Sequence, residues 1–441
     1  MAEYNRPTSE AEFQNNFKQK KPLMNPTEAF YESARCLFCY DAPCIKACPT
    51  HIDIPLFIKQ IQTKNTEGAA QTIFNANWLG NTCGLVCPTG VLCEGACVFN
   101  HQNIMPIQIG RLQNFATHKV IDSGKEIFKV GKPNNKKMAI IGAGPAGIAC
   151  ACELRSLGYQ VCIFEAKNKA SGLAVHGIAP YKISNEEVLN EISYLQNQLG
   201  FEIRYNTPIN SKEQLQDLEK NYDAIFLGLG LGKTGALEIE GENKKGVIGA
   251  VEFIEELRSK HHHLKVPNKV VVLGGGNTAM DAASEAAKMG AKKIVLAYRN
   301  SKEKMKAYKF EYDFAISAGV DSLFNLVPIG IVGKGKVEGV KFAKTELIEG
   351  KLQTKNNDVF VVQCDLVIKA TGQAKQGAFY QLIDHLKCDN QSRLLINKET
   401  FQTSNPKYFA GGDAVNGGAE VVNAAYDGKM AALGMHQWLT K

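Results

Sequence analysis

From Ile54 to Gln62 and from Gly68 to Ala76, apolar residues recur at three- and four-residue spacing, the rhythm of helices that bury one face. Beyond residue 136 the rhythm changes. Short runs such as Lys137-Met138-Ala139-Ile140-Ile141, Val161-Cys162-Ile163-Phe164, Lys269-Val270-Val271-Val272-Leu273 and Ile294-Val295-Leu296-Ala297-Tyr298 read as buried strands alternating with helices. Between the two regimes lies Gly131 to Lys137 (GKPNNKK), whose Pro and Asn read as a linker. The pattern predicts a helical region over residues 1–130, followed by α/β domains to the C-terminus.

One pattern occurs twice in the second part. The strand ending at Ile141 leads into Gly142-Ala143-Gly144-Pro145-Ala146-Gly147, and the strand ending at Leu273 leads into Gly274-Gly275-Gly276-Asn277-Thr278-Ala279. Glycines at these steps let the chain turn tightly, let backbone approach a pyrophosphate, and let the helix pack close to its strand. The helix N-terminus then favours the negative charge. After the first turn, the next strand ends at Glu165, placed to accept from a ribose hydroxyl. After the second, it ends at Arg299, with Lys304 and Lys306 nearby. A cation there attracts a 2′-phosphate, so NADPH is favoured over NADH. Gly411-Gly412-Asp413, a flavin-type motif, lies far downstream, so the second unit is expected to be inserted in the first. The expected segments are 136–235 with 365–441 for FAD, and 236–364 for NAD(P)H.

With 441 residues, 44% of them apolar and 22% charged, the chain has the size of roughly three domains and the composition of an ordinary globular protein. A net charge of +7 gives no reason to invoke nucleic acid or a membrane surface. The first residues are polar, which argues against a signal peptide. No run of about 18 apolar residues is present to span a bilayer. Thirteen cysteines without a leader point to a reducing compartment, and cytoplasmic localisation is expected.

Eight of those cysteines are concentrated in Cys36-x2-Cys39-x4-Cys44-x3-Cys48-Pro49 and Cys83-x3-Cys87-Pro88-x5-Cys93-x3-Cys97. The pairs 44/48, 83/87 and 93/97 have the spacing that puts two sulfurs on one helical face, one turn apart. Zinc favours repeated Cys-x2-Cys pairs, which occur here once. Soft thiolates in this number favour iron–sulfur clusters over zinc or inert core thiols. Spacing alone would count Cys83 among the ligands.

CLFCYDAPCIKACPT, LGNTCGLVCPTGVLCEGAC and PIQIGRLQNFAT together resemble the N-terminal cluster domain of dihydropyrimidine dehydrogenase. Less closely, they are similar to the small subunit of glutamate synthase. The resemblance implies an all-α ferredoxin-like domain with two 4Fe–4S clusters. Cys36, Cys39, Cys44 and Cys97 would hold one; Cys48, Cys87, Cys93 and the amide of Gln113 would hold the other, leaving Cys83 out. An α/β flavoprotein with two dinucleotide-binding domains, of the adrenodoxin-reductase and glutathione-reductase type, would follow. Its FAD set would be Gly142, Ala143, Gly144, Pro145, Ala146, Gly147, Glu165, Ala166, Gly172, Leu173, Lys182, Ile209, Gly412, Asp413, Glu420, Val421 and Val422. Lys182 stands where that family has an arginine, and Ser171-Gly172 where it has two glycines. The NAD(P)H set would be Gly275, Gly276, Asn277, Thr278, Arg299, Asn300 and Lys306.

By the same resemblance, a hydride from NAD(P)H reduces FAD, and electrons leave singly through the clusters to a partner subunit. That partner would carry FMN, the pyrimidine site and further clusters, and interconvert uracil or thymine with their dihydro forms. The alternatives are the glutamate synthase small subunit and a non-enzymatic electron-transfer scaffold. No catalytic acid or base is assigned, because hydride transfer to flavin requires none.

Other features read as structural. Cys150 and Cys152, two apart on a helix, point to different faces and are expected to be core thiols rather than a redox pair. Cys162, Cys364 and Cys388 are expected in packing, and His261-His262-His263 in a solvated loop.

Overall fold

The computed structural model describes residues 4–348 and 351–441. The chain divides into two compact units, one of Lys20–Val175, Lys182–Leu231 and Lys375–Lys441, the other of Met1–Gln19, His176–Tyr181 and Gly232–Ala374.

The first unit begins with helices at Pro26–Ala34, Pro43–Ala47, Ile54–Gln62, Thr66–Ala76, Gly80–Val86 and Ile109–Ser123. Local chemistry sets their ends. Asn25 accepts from the backbone of Thr27 and Glu28, while the Glu28 side chain returns to the Asn25 N–H, and Pro26 occupies the first turn. The amphipathic pattern places Phe57, Ile58, Ile73, Phe74 and Leu112 in the interior, each with no exposed surface. A parallel sheet then runs in the order Tyr408–Ala410, Ala224–Leu227, Lys137–Ile141, Gln160–Phe164, Glu202–Arg204. The Tyr408–Ala410 strand reaches this sheet from near the C-terminus, as an insertion requires. Just ahead of the predicted linker, Phe128 packs edge-on to Phe74 at 5.4 Å and lies 5.1 Å from Trp78. The Trp78 indole also donates to Glu153 at 2.8 Å, which fixes the helical region against the sheet domain.

The second unit holds the other parallel sheet, ordered Val247–Gly249, Leu366–Lys369, Lys269–Leu273, Lys293–Tyr298, Val320–Phe324. It also carries an antiparallel sheet of Leu326–Val332, Gly339–Ile348 and Lys351–Gln363, which the apolar runs did not announce. Residues 4–19 belong with this unit rather than with the helices that follow them. Phe13 and Phe17, one helical turn apart, are 1% and 2% exposed in a core with Tyr181, Ala283 and Leu296. Lys288 is buried because its ammonium donates to the Asn16 carbonyl at 2.7 Å and lies over the Tyr4 ring at 4.5 Å.

Candidate cofactor sites

The eight clustered cysteines separate into two cavities. Cys36, Cys39, Cys44 and Cys97 line one, with Leu37, Ile58, Phe99 and Ile107. Cys48, Cys87, Cys93 and Gln113 line the other, with Asn77, Thr89, Leu92, Val422 and also Cys83. Ile54 lines both, so the two share a wall. The helical-face expectation fails for two of the three pairs. Cys44 is in the short helix Pro43–Ala47, but Cys48 is its extended cap with ψ 121°. Cys93 lies on a turn and Cys97 is the extended residue ahead of a short 3-10 helix, so neither is on an α-helix. In both pairs, one sulfur faces each cavity. Only Cys83 and Cys87, at the end of Gly80–Val86, share a cavity.

The donor sets fit a cationic cluster. Burial, and then the neighbouring Cys36 and Cys97 thiolates, push the Cys44 thiol up to about 12. The hydrogen bond that the Cys87 thiol donates to Cys83, and then burial, raise Cys87; burial, and then Glu94, raise Cys93. Thiolates packed this way need positive charge among them, which iron supplies. Among the described residues, no three His, Cys, Asp or Glu side chains converge on a single-ion site. A four-iron cube instead assigns each ligand to a separate corner.

Gln113 is oriented by its surroundings. Its Nε2 donates to the Gly80 carbonyl at 2.7 Å, which settles the amide direction and leaves Oε1 as the acceptor on the cavity side. The residues just after Gly80 are held by the helix Asn185–Leu199. The fully buried Glu191 carboxylate accepts from Asn81 N at 2.7 Å and Thr82 N at 3.0 Å, at the start of Gly80–Val86. Burial pushes Glu191 up to about 7, against these donors. Sequence reading missed Glu191, because its partners are more than 100 positions away.

The first glycine turn has three distinct environments. Gly142 sits at φ +100°; a Cβ on Gly147 would stand 2.0 Å from the Gly142 carbonyl; a Cβ on Gly144 would meet nothing closer than 3.9 Å. A tight turn, a close helix contact and an open backbone are what a pyrophosphate cradle needs. Glu165 accepts from Ala143 N and Lys167 N, each at 2.8 Å, so its carboxylate closes the loop from the next strand end. Gly172 presses on the same turn, for a Cβ built on it would stand 3.2 Å from Gly144 Cα. The adjacent Ser171 N–H donates to Ala143 O at 2.6 Å, while its buried hydroxyl has no partner. Leu173 opens a short helix, Ile209 packs beside Phe164 and Leu215, Ala166 is exposed and Lys182 is half-buried.

At the C-terminal end, Gly412 has φ +70°, and its N–H donates to Asp427 at 2.9 Å. Asp427 is pushed up to about 6 by burial, and it was not among the sequence candidates. Asp413, also raised by burial, accepts from Ala419 N at 3.1 Å. Glu420 is the N-cap of Val421–Thr440, and Val422, in its first turn, reaches the second cysteine cavity.

In the second glycine turn, Gly274 has φ +150°, Gly276 faces open space, and Ala279 is buried where a third glycine would stand. Gly275 lies under the Tyr298 ring, 2.5 Å from where its Cβ would be, and accepts from Lys306 N at 3.1 Å. Asn277 Oδ1 accepts from Tyr308 N, and Asn300 Nδ2 donates to the Tyr298 hydroxyl. Thr278, Arg299 and Lys306 are exposed around this turn. Cys150 and Cys152 are fully buried, with burial raising both thiols. Cys388, expected in packing, is exposed. The three histidines form a short 3-10 turn in which His261 stacks on Phe13 at 4.7 Å and pairs with Glu10.

Residues 13–125 match the family model for dihydropyrimidine dehydrogenase domain II, 4Fe-4S cluster. Residues 89–181 and 136–428 match that for pyridine nucleotide-disulphide oxidoreductase. The glutamate synthase (NADPH) small chain of Escherichia coli (strain K12) is 35% identical over 434 residues, covering 93% of this chain and 92% of that one. The NAD-dependent dihydropyrimidine dehydrogenase subunit PreT of the same organism is 32% identical over 427 residues, covering 97% and 98%. Mycobacterium tuberculosis FprA in complex with NADPH superposes with a TM-score of 0.58 at 19% identity, over 70% of this chain and 85% of FprA. Thioredoxin reductase of T. acidophilum gives 0.54 at 20%, over 70% and 100%. These two likenesses concern the fold. No helix among the described residues is long and apolar enough to cross a membrane. The chain belongs to the pyridine nucleotide-disulphide oxidoreductases, as an NAD(P)-dependent flavoprotein bearing the 4Fe–4S domain found in dihydropyrimidine dehydrogenase.

Proposed function

We propose that the chain is the NAD(P)H-oxidising subunit of a two-chain dihydropyrimidine dehydrogenase, working in the cytoplasm with a partner that carries FMN and the pyrimidine site. When bound, FAD takes a two-electron hydride from NAD(P)H, and the iron–sulfur clusters carry electrons singly. The observation that carries the electron-transfer reading is Val422. It lies in the first turn of the C-terminal helix, beside the expected flavin, and lines the cavity of Cys48, Cys87, Cys93 and Gln113. Ile54 then joins that cavity to the other. This supports an order of flavin, second cluster, first cluster, partner. Cys44 and Cys48, only four residues apart in the chain, belong one to each set, so the step between the two sets is short.

Two segments, Thr82-Cys83-Gly84-Leu85-Val86-Cys87-Pro88-Thr89 and Leu112-Gln113-Asn114-Phe115, favour the dihydropyrimidine reading. The 35% identity to the glutamate synthase small chain supports a second reading, electron delivery to a glutamate-forming subunit. Bleaching of the flavin by NAD(P)H in the isolated chain separates an enzyme from an electron-transfer scaffold. With the copurifying partner, turnover of dihydrouracil against turnover of 2-oxoglutarate with glutamine decides between the two enzymes. Activity only in the second assay refutes the proposal.

A further inference from the structure

Asn77 ends the helix Thr66–Ala76 and is 1% exposed in the wall of the second cysteine cavity. Its Oδ1 accepts from the Leu79 N–H at 3.0 Å. Because that partner is a backbone donor, the amide cannot be turned the other way. Nδ2 is therefore left as a donor, and it is buried with no hydrogen-bond partner in the protein. A buried donor without an acceptor is costly to leave unpaired, and the lining around it is mostly apolar: Ile52, Ile54, Leu92 and Val422. The group for which the cavity is lined, with Cys48, Cys87 and Cys93, is rich in sulfur acceptors.

We propose that Asn77 donates its Nδ2–H to a sulfur of the second cluster and thereby raises that cluster's reduction potential. The inference rests on the cluster reading above. Reduction adds negative charge to the cluster, so a hydrogen bond to sulfur strengthens in the reduced state, and such bonds are one of the levers on cluster potential. The donor thus favours acceptance of an electron at the cavity that Val422 adjoins.

The test uses anaerobically purified holoprotein and Asn77→Asp, which keeps an oxygen for Leu79 N–H but removes the N–H donor. Redox titration followed by electron paramagnetic resonance reads each cluster, the second being the signal absent from Cys87→Ser. At the wild-type midpoint, the reduced-to-oxidised ratio of the second cluster is expected to fall about tenfold, equivalent to 59 mV for one electron. The first cluster's titration and flavin bleaching by NAD(P)H stay unchanged. An unshifted second cluster overturns the proposal. Should Asn77→Asp not fold, wild-type protein exchanged into D2O decides. A deuteron hyperfine coupling on the reduced second cluster supports the donor, and its absence refutes it. Wild-type protein lacking iron and acid-labile sulfide would sink the cluster reading itself, whereas intact clusters indifferent to Asn77→Asp sink only this inference.

Discussion

Alanine at Gly144 and at Gly147 should damage FAD binding by different routes, and the difference tests the assignment of the glycine turn. At Gly147 the new Cβ would stand 2.0 Å from the Gly142 carbonyl and 3.2 Å from Ile140 Cγ2, so helix and turn must separate by more than an ångström. Overpacking of backbone against backbone costs about 3 kcal/mol. The better helix propensity of alanine returns about 1 kcal/mol, leaving a net loss of about 2 kcal/mol, or about 30-fold in FAD affinity where the cradle absorbs it. At Gly144 the nearest atom to a new Cβ is the Gly228 carbonyl at 3.9 Å, and φ is −69°. The flavin-free fold should therefore be unchanged within about 0.5 kcal/mol, while the methyl group occupies the open side of the turn. The assay is FAD titration of flavin-stripped protein by fluorescence quenching, with near-ultraviolet circular dichroism as the folding control. Gly144→Ala is expected to fold normally and bind FAD at least 10-fold more weakly. Wild-type FAD affinity in Gly144→Ala would show that no pyrophosphate passes over this turn.

Gln113→Ala should remove one of the two cluster signals and its iron, whereas Cys83→Ser should leave iron, sulfide and both signals in place; the reverse result would restore Cys83 as ligand. Arg299→Ala should raise KM for NADPH about 10-fold while leaving NADH within twofold, and equal effects on both would reduce Arg299 to a surface charge. His118 donates to Glu187, 3.2 Å away, and this bond raises its pKa above the ordinary 6.5. The folded state therefore holds the proton more tightly, and stability fully present below pH 6.5 is lost as pH rises through the higher folded value. Glu187→Gln should flatten that loss in denaturation midpoints measured across the range. Maleimide labelling of native holoprotein should modify Cys388, the exposed thiol, long before Cys150 or Cys152.

What the sequence made legible was mainly local. Ile54–Gln62 is a helix over the residues its periodicity marks. Both glycine turns follow their strands, and Tyr408–Ala410, just ahead of the late flavin-type motif, pairs with Ala224–Leu227 from almost 200 residues earlier. The cysteine pairs mislead for a physical reason. A Cys-x3-Cys spacing shares a face only while the helix continues, and the helix Pro43–Ala47 stops before Cys48. The resemblance interleaved these cysteines between two sets, and the cavities are lined in the same groupings. Glu191, Asp427 and Asn77 were illegible because their importance lies in partners remote in sequence or in a donor left over after local pairing. The docking of Phe13 and Phe17 likewise depends on Tyr181 and residues beyond 250, which no window of adjacent residues contains.

The 232–374 segment begins and ends in two loop stretches lying side by side: Gly232 N–H donates to the Ala374 carbonyl at 2.8 Å, and Gly235 N–H to Gly372 at 2.9 Å. Its ends therefore meet, the condition under which a module can be transplanted between proteins with little loop-closure penalty. Yet a graft of residues 232–374 alone would arrive with bare apolar surface where Phe13, Phe17 and Tyr181 pack. Chimaeras built to exchange coenzyme preference must carry the leading arm and the 176–181 segment along with the insert.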